Sequence, residues 1–206
     1  RSGGRGEKPM SVHLDLLRHG ETLSNGGFRG RLDDALSATG WQQLRAAVSQ
    51  DAPWQRIVSS PLRRCWGFAA ELAHQRQLPL EPEPDLRELD FGEWEGRTAA
   101  ELMADQSDAL SRFWRDPYGF TPPGGEPLVA FETRILAAIE RLADRCTGER
   151  VLLITHAGVI RVLLARARGM PRERLLEFDV AHAALFGLGA GFNDATLWLE
   201  ERCSPC

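Results

Sequence analysis

The sequence predicts an α/β fold: a three-layer sandwich with a mainly parallel central sheet, helices on both faces and a lid-like insertion. Three observations predict it. Short apolar runs of strand length recur along the chain, as strands buried on both faces require. Stretches with apolar residues three and four apart separate them. The alternation breaks only in the middle, where prolines and glycines cluster.

Taken in order, residues 12–17, 56–59 and 151–155 read as buried strands, and 183–188 and 195–199 as two later ones. Residues 37–50 read as a helix capped by Ser37, with Leu44 and Val48 on one face. Residues 61–76 read as a second helix, with Ser60 as cap and Pro61 at the first helical position, where a missing N–H costs nothing. Pro79, Pro82 and Pro84, then Pro117, Pro122, Pro123, Gly124 and Gly125, bound long loops around one helix over 98–115. Loops of that length in a compact domain are often functional lids, which gives the lid-like insertion over 79–126. Residues 127–146 carry Phe131, Ile135, Ile139 and Leu142 at helical spacing, and the helix over 159–167 stops at Gly169-Met170-Pro171. One domain over residues 10–200 is expected, with 1–9 a disordered tail or an expression remnant and 201–206 a C-terminal tail.

Composition excludes some classes. The 206 residues are 43% hydrophobic and 26% charged, with a net charge of −4. No Lys/Arg block offers a nucleic-acid footprint, and no apolar run is long enough to cross a bilayer. The polar, Gly-rich start does not read as a secretory leader. Four cysteines fit reduced thiols and a cytoplasmic location. Cys203 and Cys206 have Cys-x-x-Cys spacing, but no second pair completes a zinc site. Gly187, Gly189 and Gly191 lack the helix of a dinucleotide loop.

Ligands of open α/β sheets bind beyond the carboxyl ends of the strands. After the first strand come Arg18 and His19; after the second, Ser60 and then Arg63 and Arg64; after the third, His156, Ala157 and Gly158. Each residue alone is an ordinary strand-end polar group. Together they bring two imidazoles and at least two guanidiniums to one sheet edge. Guanidinium forks and helix N-termini suit phosphate oxygens, and a neutral imidazole can attack phosphorus to give a phosphohistidine. Glu88 could protonate a leaving oxygen or pair with Arg87 or Arg64. Glu93 and Glu95 read as loop surface or ion pairs.

Four blocks in order carry a resemblance: Leu16-Leu17-Arg18-His19-Gly20-Glu21-Thr22 with Asn25; Ser59-Ser60-Pro61-Leu62-Arg63-Arg64; Leu86-Arg87-Glu88-Leu89-Asp90-Phe91-Gly92-Glu93-Trp94-Glu95-Gly96; and Thr155-His156-Ala157-Gly158-Val159-Ile160-Arg161. They resemble the histidine phosphatase superfamily, in the branch that also holds cofactor-dependent phosphoglycerate mutases. The resemblance implies His19 as nucleophile, His156 as the second histidine at the phosphoryl group and Glu88 as proton donor. It implies Arg18 and Arg64, rather than Arg63, as phosphate-binding arginines, and Thr22 and Asn25 as pocket lining. It implies neither metal nor cofactor, and a small phosphomonoester as partner, with a homodimer compatible.

The short chain and its Phe91–Gly96 block are similar to phosphatases rather than mutases, so hydrolysis is favoured over transfer. The compressed segment after Asn25 and the stretch from Phe113 to Glu126 resemble the α-ribazole phosphatase subfamily, which implies α-ribazole 5′-phosphate, of cobalamin assembly, as substrate. Arg29, Trp114, Phe120 and His182 are the expected substrate contacts; the aromatic ones could equally pack the insertion on the core. A broad-specificity sugar-phosphate phosphatase, a phosphoglycerate mutase and a non-catalytic phosphate-binding protein are the alternatives.

Overall fold

The structure, a computed structural model, describes residues 11–24 and 26–203. Its strands are β1 (Ser11–Arg18), β2 (Arg56–Ser59), β3 (Leu80–Pro82), β4 (Arg150–Thr155), β5 (Leu185–Asn193) and β6 (Thr196–Arg202). Its helices are α1 (Ala38–Ala47), α2 (Arg63–Arg76), α3 (Ala99–Asp105), α4 (Ser107–Arg115), α5 (Leu128–Arg145) and α6 (Ala157–Ala167). One six-stranded sheet runs in the order β3-β2-β4-β1-β5-β6. The β3–β2, β2–β4 and β4–β1 pairs are parallel and the β1–β5 and β5–β6 pairs antiparallel, so the sheet is mixed, with β5 alone running against the other strands.

β1 shows why the sheet is covered twice. Leu14 and Leu16 point into a core with Phe131, Ile135 and Ile139 of α5 and Leu163 of α6, and Leu17 points the other way, onto Phe68 and Leu72 of α2 and Leu44 of α1. Such a strand must be apolar on both faces, which is why it reads as a run. Asp15 is the exception: fully buried, it accepts two bonds from Arg150, at 2.7 and 3.0 Å, and one from Trp54 Nε1 at 2.6 Å.

Three sequence expectations change. The helix expected over 98–115 is two, α3 and α4, separated by Gln106, whose side chain accepts from Trp94 Nε1 at 2.9 Å. β3 escapes the period-2 signal because it is three residues long. β6 runs to Arg202, two residues into the stretch read as tail. Residues 1–9 and 204–206, the remainder of the two expected tails, lie outside the described residues. The segment read as an insertion is anchored in the main core by Trp94, Leu102, Leu110 and Phe113. Among the described residues no helix is long and apolar enough to cross a membrane.

Candidate active site

Strand register builds the site. Arg18 lies opposite Thr155 in the β1–β4 pair, and Ser59 opposite Ile154 in the β2–β4 pair. Pairing continues one residue further, with His19 N donating to Thr155 O at 3.0 Å and Ser60 N to Ile154 O at 2.9 Å. His19, Ser60 and His156 therefore leave three adjacent strands side by side, at the point where the chain reverses its direction of travel across the sheet. The His19 and His156 rings stand edge to face with centroids 5.3 Å apart.

His19 is buried, 7% exposed, and its Nδ1 lies 2.7 Å from Gly20 O. A carbonyl only accepts, so Nδ1 carries the proton and Nε2 keeps its lone pair. Burial, and then the charges of Arg64 and Arg18, hold the His19 pKa well below the ordinary 6.5 despite the Gly20 bond. The same causes, burial first and Arg64 next, act on His156. Both rings are thus neutral and one is poised as a nucleophile. As pH falls below 6.5 the unfolded chain protonates these rings and the folded chain does not. Stability is therefore full above pH 6.5 and falls below it. Thermal midpoints at about pH 7.5 and about pH 5.5 are expected to differ less in His19→Ala than in the parent.

Arg18 donates to Val180 O at 2.5 Å, and its buried Nε has no partner among the described residues. Arg64, fully buried in the first turn of α2, donates to Leu32 O at 2.5 Å, Gly30 O at 3.0 Å and His156 Nδ1 at 3.3 Å. Neither Arg64 nor His156 is among the residues lining the two clefts described below. The helix holding Arg64 starts at Arg63, and Leu62 caps it without a side-chain bond. Ser60 was the expected cap, but its hydroxyl is 2.8 Å from His156 Nε2 and accepts only a long bond from Leu62 N, at 3.4 Å, while Asp33 accepts from Arg63 N at 2.6 Å. The tertiary bond takes the side chain that local sequence assigns to the helix end.

Glu88 pairs with neither Arg87 nor Arg64 through its carboxylate. Its Oε2 accepts from Gly158 N, at the first turn of α6, and its Oε1 from its neighbour Leu89 N, both at 3.0 Å. A Cβ on Gly158 would overlap Glu88 Oε1. Gly158→Ala is expected to leave the fold intact but push this carboxylate aside. Turnover should fall about tenfold on phosphates with alkyl leaving groups, with little change on p-nitrophenyl phosphate, whose leaving group needs no acid. Steady-state kinetics on the two substrates measures the split.

Two clefts meet here. A polar one of about 260 Å³ is lined by Arg18, His19, Thr22, Arg29, Glu88 and His182 among others. His182 arrives on the turn before β5, where Ala183 N donates to His19 O at 3.2 Å, and its ring is 5.8 Å from that of His19. Arg29 is ion-paired with Asp34. A larger cleft of about 540 Å³ shares Arg18, Gly27 and Glu88 with the first and continues over Phe28, Phe91, Phe113, Trp114, Leu128 and Phe131. Trp114 is 44% exposed at its mouth. Phe120 lines neither of these clefts; it stacks on Trp94 with ring centroids 5.8 Å apart and borders a separate one with Arg112 and Arg115. Asn25 lies outside the described residues.

Sequence reasoning missed three residues. Glu95 is a hub rather than loop surface: its carboxylate accepts from the N–H groups of Gly30, Arg31, Leu32 and Phe91 at 2.9 to 3.2 Å, holding the loop whose carbonyls meet Arg64. Ser60 holds His156. Arg161 lines the larger cleft one turn beyond Gly158 and is held by Phe178 O at 3.1 Å. Only the helical spacing of Gly158 and Arg161 was visible as a signal. No three His, Cys, Asp or Glu side chains come together as metal ligands among the described residues.

Neutral imidazole, guanidiniums, a helix N-terminus and a carboxylate around one small cleft define an enzyme that handles phosphoryl groups. The profile of the histidine phosphatase superfamily (branch 1) matches residues 14–197, and the chain belongs to that family. It is 31% identical over 190 residues to the adenosylcobalamin/alpha-ribazole phosphatase of Escherichia coli, covering 90% of this chain and 94% of that one. It is 36% identical over 169 residues to a glucosyl-3-phosphoglycerate phosphatase of Mycolicibacterium vanbaalenii, covering 77% and 75%. The crystal structure of the alpha-ribazole phosphatase from Shigella flexneri superposes with a TM-score of 0.78 at 30% identity, over 92% of this chain and 94% of that one.

Proposed function

We propose that the protein hydrolyses phosphomonoesters through a phosphohistidine on His19, and that its substrate is α-ribazole 5′-phosphate. The observation that carries this reading is the pair of joined clefts, a small charged one continuous with a larger aromatic one. The phosphate enters the first beside Arg18, and a flat heterocyclic nucleoside fits the second, where rings stack on aromatic side chains. His19 Nε2 attacks phosphorus in line. As the P–O bond breaks, Glu88 gives its proton to the leaving oxygen. Glu88 then takes a proton from water, whose oxygen displaces His19 from phosphorus, and inorganic phosphate leaves. Arg18, and Arg64 through His156 and the loop of residues 29–32, supply the positive field for the charge on the transferring group.

Ranking phosphorylated metabolites by kcat/KM tests the substrate. α-Ribazole 5′-phosphate is expected to exceed simple sugar phosphates by about 100-fold, the gain of filling an apolar pocket. Equal rates across the panel would overturn the substrate and leave the reaction standing. The similarity to a glucosyl-3-phosphoglycerate phosphatase favours a second reading. The larger cleft carries Glu173 and Glu177 but also Arg161, and Glu177 is ion-paired with Arg174, so the substrate ranking rather than cleft charge separates the two readings. Activity is expected to be unchanged in a chelator, because none of these steps calls on a metal; a strict divalent-cation requirement would overturn the mechanism.

A further inference from the structure

We propose that Ser60 is a positioning residue that holds the His156 ring in the orientation in which Arg64 sets its tautomer. Both are fully buried, at the ends of neighbouring strands β2 and β4. Arg64 Nε approaches His156 Nδ1 at 3.3 Å. A guanidinium can only donate, so Nδ1 must present its lone pair. The single proton of the neutral ring is then on Nε2, and Ser60 Oγ, 2.8 Å away, accepts it. Cys65 Sγ completes the cradle at 3.6 Å from Nε2 and 3.9 Å from Nδ1. Burial pushes its thiol up to about 12, so it adds no charge beside the ring.

Ser60 lies in the β2–α2 connection and Arg64 and Cys65 in the first turn of α2, so one continuous segment grips the imidazole on both nitrogens. His19 closes the remaining side, edge to face. The arrangement admits one protonation state. A proton on Nδ1 would face Arg64, and a doubly protonated ring would also face His19, which gains positive charge as its bond to phosphorus forms. Without the Ser60 acceptor the Nε2 proton has no partner, the ring is free to turn away from Arg64, and only then can it exchange tautomers beside the nucleophile. The kinetic consequence rests on the proposed phosphoryl transfer; the tautomer itself does not.

The test is long-range ¹H–¹⁵N correlation of the full chain labelled at histidine, with the His156 signal assigned by its loss in His156→Gln. The parent is expected to show the neutral Nε2–H pattern. Ser60→Ala is expected to show mixed tautomers, with kcat lowered about tenfold and KM within about twofold, since the phosphate contacts are untouched. Ser60→Thr is expected to restore both. The near-isosteric pair Ser60→Thr and Ser60→Val separates the hydroxyl from cavity effects if Ser60→Ala folds poorly. A parent His156 protonated on Nδ1, a pure Nε2–H pattern in the variants lacking the hydroxyl, or unchanged kcat in them would each overturn the proposal. Full turnover in His19→Ala alongside the expected tautomer pattern would instead remove the phosphohistidine reading and leave the tautomer assignment intact.

Discussion

His19→Ala is expected to abolish phosphomonoester turnover, with kcat reduced on the order of 10⁴-fold. The nucleophile is the one group whose loss no neighbour can replace. His156 is 5.3 Å away by ring centroid, and its nitrogens are occupied by Ser60 and Arg64. The loss should be in kcat rather than KM, because Arg18 and the polar cleft remain. It should also hold for p-nitrophenyl phosphate, whose good leaving group relieves the need for an acid but not for a nucleophile. A radiolabelled phosphoenzyme should form in the parent and be absent in the variant. Turnover within tenfold of the parent would exclude His19 as the attacking group.

Arg64→Met is expected to have the next largest effect, lowering kcat/KM by about 10² to 10³-fold and stability by about 1–3 kcal/mol. Two causes act together. The variant removes the positive charge nearest both histidines. It also leaves the carbonyls of Gly30 and Leu32 and the Nδ1 of His156 without their donor, and a buried acceptor without a partner costs its full desolvation. With the charge gone, the His19 and His156 pKa values should move up toward 6.5, since Arg64 is among the causes holding them down. Histidine titration followed by NMR, alongside thermal denaturation, separates the two effects. Arg63→Met, one residue earlier on the exposed side of α2, is the control and should change neither.

Much of this site was legible in the sequence because it depends on strand ends. Arg18, His19 and His156 follow apolar runs whose burial fixes both the strand and its direction, so their convergence needs only a parallel sheet. Glu88 came from the family resemblance, and its partner from the structure: nothing local to residue 88 says that its carboxylate will meet Gly158 N, 70 residues later. Trp114 and Phe120 show the limit more sharply. Both are aromatic and close in sequence, yet one opens onto the cleft and the other stacks on Trp94. Nothing in the local sequence around either residue distinguishes these two environments.

Hydrophobic periodicity, which reports burial along a single element, determined the α/β class, the parallel majority of the sheet and the two histidines at its edge. Tertiary structure alone decided the roles of Ser60 and Glu95, the antiparallel edge of β5 and β6, and the joining of a charged cleft to an aromatic one. Those depend on which hydrogen-bond partner a polar group finds across the fold, and a buried donor or acceptor takes the partner that space supplies. Ser60 is the plainest case: local sequence offers it a helix end, and the fold gives it His156.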